Sequence, residues 1–172
     1  GRPIYFETYS GHGPVGVYTL ELMQKEEQHL QQAGHNGQVN RVLVMDSANN
    51  SVATLRAFAA QDRYHYITML DGNQWSERKV RHEEAPERYR WGNATLYDGE
   101  IELTDSHAKG YIVLVRTVRI EWDNGKRTIL LTSLPTTVGA SLVVKAYFDR
   151  WPQQELVFRA MKGFASLHMV AG

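Results

Sequence analysis

Apolar and polar positions divide this chain into segments of different period. Residues 3–9, PIYFETY, alternate and are rich in aromatic and β-branched types, which predicts a strand closed by the turn residues Gly11-His12-Gly13-Pro14. From Tyr18 to Gln32 the apolar residues Tyr18, Leu20, Leu22, Met23 and Leu30 sit among Glu, Gln and Lys. That spacing predicts a helix over 18–32, with Gly34 placed to end it. Residues 41–45, RVLVM, form a short continuous apolar run, the mark of a strand buried on both faces of a sheet flanked by helices. Asp46 stands at its C-terminal end. A polar turn over 47–50 follows, Ser51 is placed to cap a helix running to about residue 60, and 64–70, YHYITML, reads as a further strand.

Strands linked by helical crossovers rather than hairpins predict an α/β layer with at least partly parallel strands. The pattern then changes. From Asp71 to about Pro135 the sequence is polar and then β-rich, with short strands expected at 89–97, 100–104, 111–121 and 127–133. The last two are joined by Asn124-Gly125, a tight-turn pair. A helical period returns over roughly 139–164. The economical organisation is an α/β core over 1–70, a β-rich insertion over 71–135, and a C-terminal helix over 136–172 that resumes the core.

Composition narrows this picture. A chain of 172 residues is long enough for one domain with its own core. It contains no cysteine, which excludes disulfides and thiolate zinc sites, and no run approaches the roughly 20 apolar residues of a membrane helix. No basic-then-apolar leader opens it. The expectation is a cytoplasmic protein. The opening Gly1-Arg2-Pro3, without an initiator Met and running almost at once into a strand, points to a piece of something longer. Net charge is zero, but residues 106–172 hold nine Lys and Arg against four acids, an excess that permits a polyanion against this half.

Four features invite chemistry. Gly11-x-Gly13-x-x-Gly16 matches the dinucleotide fingerprint in letters, but the strand before it alternates, and Asp46 follows Gly16 by 30 positions where about 20 are expected. A plain turn fits better. Asp46 lies where open α/β sheets gather catalytic groups, the C-terminal end of a strand. On local sequence alone a capping or turn role stands equally open. Trp75, Trp91 and Trp122 interleave with Arg78, Lys79, Arg81, Arg88, Arg90, Arg116 and Arg119. Such a pattern can stack a displaced base while the charges follow the backbone. It describes equally well tryptophans packing a β layer with charges facing water. Near the C-terminus, Glu155 and Lys162 are seven residues apart, two helical turns, so they share a helix face. Pro152 predicts a restart of the helix near Trp151. Spacing alone also fits an ordinary amphipathic helix with Phe158 and Met161 turned inward.

The run YFDRWPQQELVFRAMK, Tyr147 to Lys162, resembles the Y-x-x-R-W…E…F…K signature of bacterial insertion-sequence transposases with a DDE catalytic core. The resemblance extends over essentially the whole chain. RVLVMD with its polar turn and helix is similar to the family's second-aspartate strand. YHYITML resembles the strand before the insertion, TILLTSLP the insertion's end, and 139–164 the helix bearing the catalytic glutamate. It implies a ribonuclease H-like mixed sheet flanked by helices and interrupted by a β-rich insertion. Carried over by position, it implies that Asp46 and Glu155 are catalytic, metal-binding carboxylates, and that Tyr147, Arg150 and Lys162 contact DNA. Four residues separate Arg150 from Glu155 where the commonest form of the signature has three, which makes Gln154 the rival position. Gln cannot serve as an anionic ligand, and the Glu155-to-Lys162 interval fits. The family's first aspartate belongs to a strand upstream of this chain.

The resemblance implies Mg²⁺, with Mn²⁺ as substitute, held by Asp46 and Glu155 as hard oxygen ligands. It implies hydrolysis at transposon ends and strand transfer into target DNA, with the enzyme a homodimer on DNA in a bacterial cytoplasm, at the nucleoid. This chain, short of one ligand, is expected not to nick DNA by itself. Two rivals remain: another ribonuclease H-like nuclease, and a non-catalytic DNA-binding remnant. A dinucleotide-binding enzyme comes last.

Overall fold

The computed structural model describes residues 15–34, 41–47, 50–60, 64–70, 79–104 and 112–149. The expected strand at 3–9 and the turn glycines Gly11 and Gly13 lie outside them. The first described element is helix α1, Val15–Gln32. It starts earlier than the apolar pattern predicts, so that Gly16 falls inside it, and the turn that closes it after Gln32 contains Gly34, whose φ of 84° an L side chain rarely adopts. Strand β1, Arg41–Val44, helix α2, Val52–Ala59, and strand β2, Tyr64–Met69, follow as the sequence predicts. Ser51 caps α2 by accepting a hydrogen bond from Thr54 N at 3.2 Å.

The remaining strands are β3, Lys79–Glu83, β4, Glu87–Arg88, β5, Ala94–Thr104, β6, Ile112–Trp122, and β7, Arg127–Thr132. A final helix, α3, covers 140–149 of the described residues. All strands join one mixed sheet of seven, in the order β1-β2-β7-β6-β5-β3, with β4 also on β5. β1 and β2 are parallel, as their helical crossover requires, and the others are antiparallel. The β-rich stretch continues the sheet of β1 and β2 through the β2–β7 pairing, Ile67 opposite Thr132.

Two of the expected short strands, 89–97 and 100–104, are replaced by the single strand β5. Asp98-Gly99 reads as a break, but Gly99 is there because β3 comes close: a Cβ on it would stand 2.3 Å from the His82 carbonyl oxygen. β3 and β4 themselves leave no alternating signal, since both are charged and exposed strands on the outer edge of β5. The Asn124-Gly125 turn forms as a three-residue loop. Gly125 N donates to Trp122 O at 2.8 Å, and Gly125 takes φ 81°.

Helices cover both sheet faces. On one face α1 and α2 bury Met23, Leu55 and Phe58 against Tyr64, Tyr66, Ile101, Leu103, Val115, Ile129 and Leu131. The Tyr64 hydroxyl ties this layer to Glu27 of α1. On the other face α3 buries Ala140, Val143, Val144 and Tyr147 against Ile67, Ala94, Leu96, Val118, Ile120 and Leu130. β1 departs from the expectation of burial on both faces: it edges the described sheet, and Val42 is 46 % exposed. No described helix is long and apolar enough to cross a membrane.

Candidate functional site

β1 and β2 end together, and side chains tie their ends. The ladder runs on past Val44 with Met45 N donating to Ile67 O at 2.9 Å. Thr68 Oγ1 then donates to the Asp46 carbonyl at 2.8 Å, and the buried amide of Asn50 donates to Met69 O at 2.9 Å. The turn after β1 is thereby fastened to the last residues of β2. The Asp46 side chain is exposed. Leu43 and Met45 pack with the α1/α2 cluster and Val44 with the α3 cluster. Continuing that alternation, Asp46 falls on the side of α3. The cap of α2 is Ser51, so Asp46 does not hold that role.

α3 reaches this face through a tightly held connection. Arg116, its side chain 7 % exposed, comes from β6 and occupies the α3 face between Leu114 and Val118. A guanidinium has five N–H donors. Here Nε and one Nη grip both carboxylate oxygens of Asp98 on β5. The remaining bonds run to three carbonyls of the connection: Leu134 at 3.1 Å, Pro135 at 2.7 Å and Val138 at 2.8 Å. From β4, Glu87 Oε1 accepts from Ser141 N at 3.1 Å and from Ser141 Oγ at 2.9 Å, which sets a negative charge at the start of α3, where the exposed N–H groups favour it.

The far end of the described helix is held by aromatic rings. Phe148 meets Tyr147 at 5.2 Å and Trp122 at 5.4 Å between centroids, and Trp122 meets Tyr89 at 6.4 Å, all edge to face. From Arg116 in mid-strand to Trp122 at the strand's end, α3 therefore runs in the direction of β6. β2 and β1 run the same way, because β6 and β2 each pair antiparallel with β7 and β1 is parallel to β2. The described part of α3 points to the sheet end that bears Asp46.

That end also carries exposed aromatic and basic groups. Trp91 is 49 % exposed, with Lys145 Nζ 5.7 Å from its ring centroid and itself paired with Asp149 on α3. Arg90 and Lys126 are exposed beside it in sequence and turn. Other cations in the interleaved set are engaged with acids: Arg88 with Asp123, Arg81 with Glu102, Arg116 with Asp98. Arg119 binds Glu83 through both oxygens at 2.6 and 2.7 Å and lies 3.8 Å over the Tyr97 ring. Its hydrogen bonds hold the Glu83 carboxyl below the ordinary glutamate value against the opposing effect of burial. Trp122 is a packing residue, its indole N–H donating to Thr128 Oγ1 at 3.2 Å.

Of the residues singled out from sequence, Asp46 and Tyr147 are described, and Arg150, Glu155 and Lys162 lie outside the described residues, as do Trp75 and Arg78. Tyr147 is 3 % exposed within the α3 cluster. Among the described residues no three His, Asp or Glu side chains group closely enough to hold a metal ion. Arg116, Asp98 and Glu87 were not legible as a set. Their one signal is a charge on an inward position of each long strand, Arg116 between Leu114 and Val118 and Asp98 next to Leu96. Compared with family models, curated proteins and solved structures, the chain matches none.

Proposed function

We propose that this chain belongs to the catalytic core of a DDE transposase, in which Asp46 and Glu155 are two carboxylates of a divalent-metal site acting on DNA. The observation that supports this most is directional. Asp46 stands at the C-terminal end of a parallel strand, and the helix leading into YFDRWPQQE crosses the same face toward the same end. A site assembled there draws one oxygen ligand from β1 and a second from the segment after α3, the arrangement that the resemblance implies. When bound, Mg²⁺ or Mn²⁺ supplies activation of an oxygen nucleophile and stabilisation of the departing 3′ oxygen of a phosphodiester.

The chain's own groups have distinct tasks in this reading. Asp46 contributes hard oxygen. Arg150 grips a phosphate with a planar fork and Lys162 acts on it as a point charge, while Tyr147, buried in the α3 cluster, anchors the helix that leads to them. Arg90 and Lys126 extend a positive surface along the sheet end. From β1 to β6 is three strand spacings, about 14 Å. About four base pairs of a duplex, each rising about 3.4 Å, cover that width. The complete protein would cut at transposon ends, join them to target DNA, and work as a homodimer on DNA.

The test is Mn²⁺ paramagnetic broadening of amide resonances of this chain, comparing wild type with Asp46→Ala and Glu155→Ala. Broadening around 46 and 155 together, removed by either substitution, is the expected result. Sharp resonances at both positions in a folded protein would overturn the metal site and favour a non-catalytic DNA-binding remnant.

A further inference from the structure

We propose that Arg116 is a positioning residue: by fastening the β7-to-α3 connection to β5 and β6, it sets the bearing of α3 toward the sheet end that holds Asp46. The consequence for catalysis rests on the transposase reading; the mechanical role does not.

Five hydrogen bonds leave the guanidinium with no unused donor, and three of them end on carbonyls within residues 134–138. A connection of sequence SLPTTVG has no apolar period and would by itself leave a helix free to swing. Here its backbone is fixed at three points by one planar group. Asp98 in turn fixes the plane of that group by gripping two of its nitrogens. Glu87 adds a separate hold one helical turn on, at Ser141. All three anchors come from the β-rich stretch, on β4, β5 and β6. The stretch therefore acts on α3 from beneath, as its mount, besides extending the sheet.

A Lys at this position keeps the charge but offers donors from one point rather than a fork. It can satisfy Asp98 or the carbonyls, not all of them. Asp98→Asn keeps the shape and removes the charge that orients the guanidinium. Neither substitution touches the apolar contacts of Val143, Val144 and Tyr147 that keep α3 on the sheet.

The chain has no cysteine, so nitroxide labels can be placed at Val42→Cys on β1 and Ala146→Cys on α3, both exposed. Double electron–electron resonance on the whole chain is expected to give one narrow distance in the otherwise wild-type background. Arg116→Lys and Asp98→Asn are expected to broaden or shift it while thermal unfolding stays cooperative. An unchanged distance in both variants would overturn the proposal, whatever the change in unfolding midpoint, because a merely stabilising ion pair lowers the midpoint without moving the helix. Global unfolding of both would overturn it too, making the pair a determinant of the fold rather than of the helix bearing. The Mn²⁺ measurement separates the two ideas. Loss of the joint broadening in Arg116→Lys, with Asp46→Ala keeping the narrow distance, links mount and metal site. No broadening in wild type, with the distance still sensitive to Arg116, sinks the transposase reading and leaves the positioning role standing.

Discussion

Replacing both members of a buried ion pair by apolar residues is often neutral, or stabilising by about 1–4 kcal/mol, because the cost of desolvating two charges is removed. The Arg116–Asp98 pair should behave otherwise. Its side chains are 7 % and 14 % exposed, which places it among such pairs. Yet Arg116 also donates to the carbonyls of Leu134, Pro135 and Val138, the first of these bonds buried and the other two partly so. A buried carbonyl left without a donor costs about 1–3 kcal/mol, and water recovers part of this where it can reach, so the three together cost about 3–5 kcal/mol. Set against the relief from removing the charges, the double variant Arg116→Met/Asp98→Leu should be less stable than wild type by on the order of 1–2 kcal/mol. Arg116→Met alone should be the least stable of the set. It orphans the same carbonyls and strands the Asp98 carboxylate, a loss of at least about 5 kcal/mol out of the roughly 5–15 kcal/mol that holds a domain folded. Urea denaturation followed by tryptophan fluorescence measures the cycle, with Trp122 packed against the end of α3 as reporter. A double variant as stable as wild type would refute the reasoning, since the three carbonyls would then owe nothing to Arg116.

Two further outcomes follow from local geometry. Gly99→Ala should detach β3 at a cost of about 1–3 kcal/mol, because its Cβ would meet the His82 carbonyl at 2.3 Å and Glu83 Cα at 3.2 Å, backbone atoms that cannot turn aside. Amide exchange at Val80, His82 and Glu83 should accelerate while the β6–β7 ladder keeps its protection; unchanged exchange at these three would contradict the close approach. The Glu83–Arg119 pair should make stability pH-dependent in one direction only. Arg119 lowers the Glu83 pKa in the folded protein, so the unfolded chain binds more protons between the depressed and the ordinary value. The contribution is complete above the ordinary glutamate value and is lost as pH falls through the depressed one. Thermal unfolding of Glu83→Gln should therefore lie below wild type at neutral pH and converge with it in acid, and a gap that persists in strong acid would assign the effect to something other than this charge.

Periodicity along the chain determined the elements whose burial is one-sided or continuous. Helices α1 and α2, strands β1, β2, β6 and β7, the Ser51 cap and the turn at Gly125 are all legible in windows of a few residues, because each depends on contacts with sequence neighbours. Asp46 at a strand end is legible in the same way. β3 and β4 were not, since an exposed edge strand has no buried face to impose a pattern. The single strand β5 was not, because Gly99 answers to a β3 backbone that sequence does not place beside it. That β7 would pair with β2, and so carry the β-rich stretch into the sheet of β1, depends on residues such as Ile67 and Thr132 far apart in the chain. Arg116 is the clearest instance: as a letter it is one more basic residue among tryptophans, and only the fold brings Asp98 and three loop carbonyls around it. Local period is written into the chain because helices and strands close their hydrogen bonds by fixed repeats. The pairing of a buried charge is not, because its partners are chosen by how the layers meet.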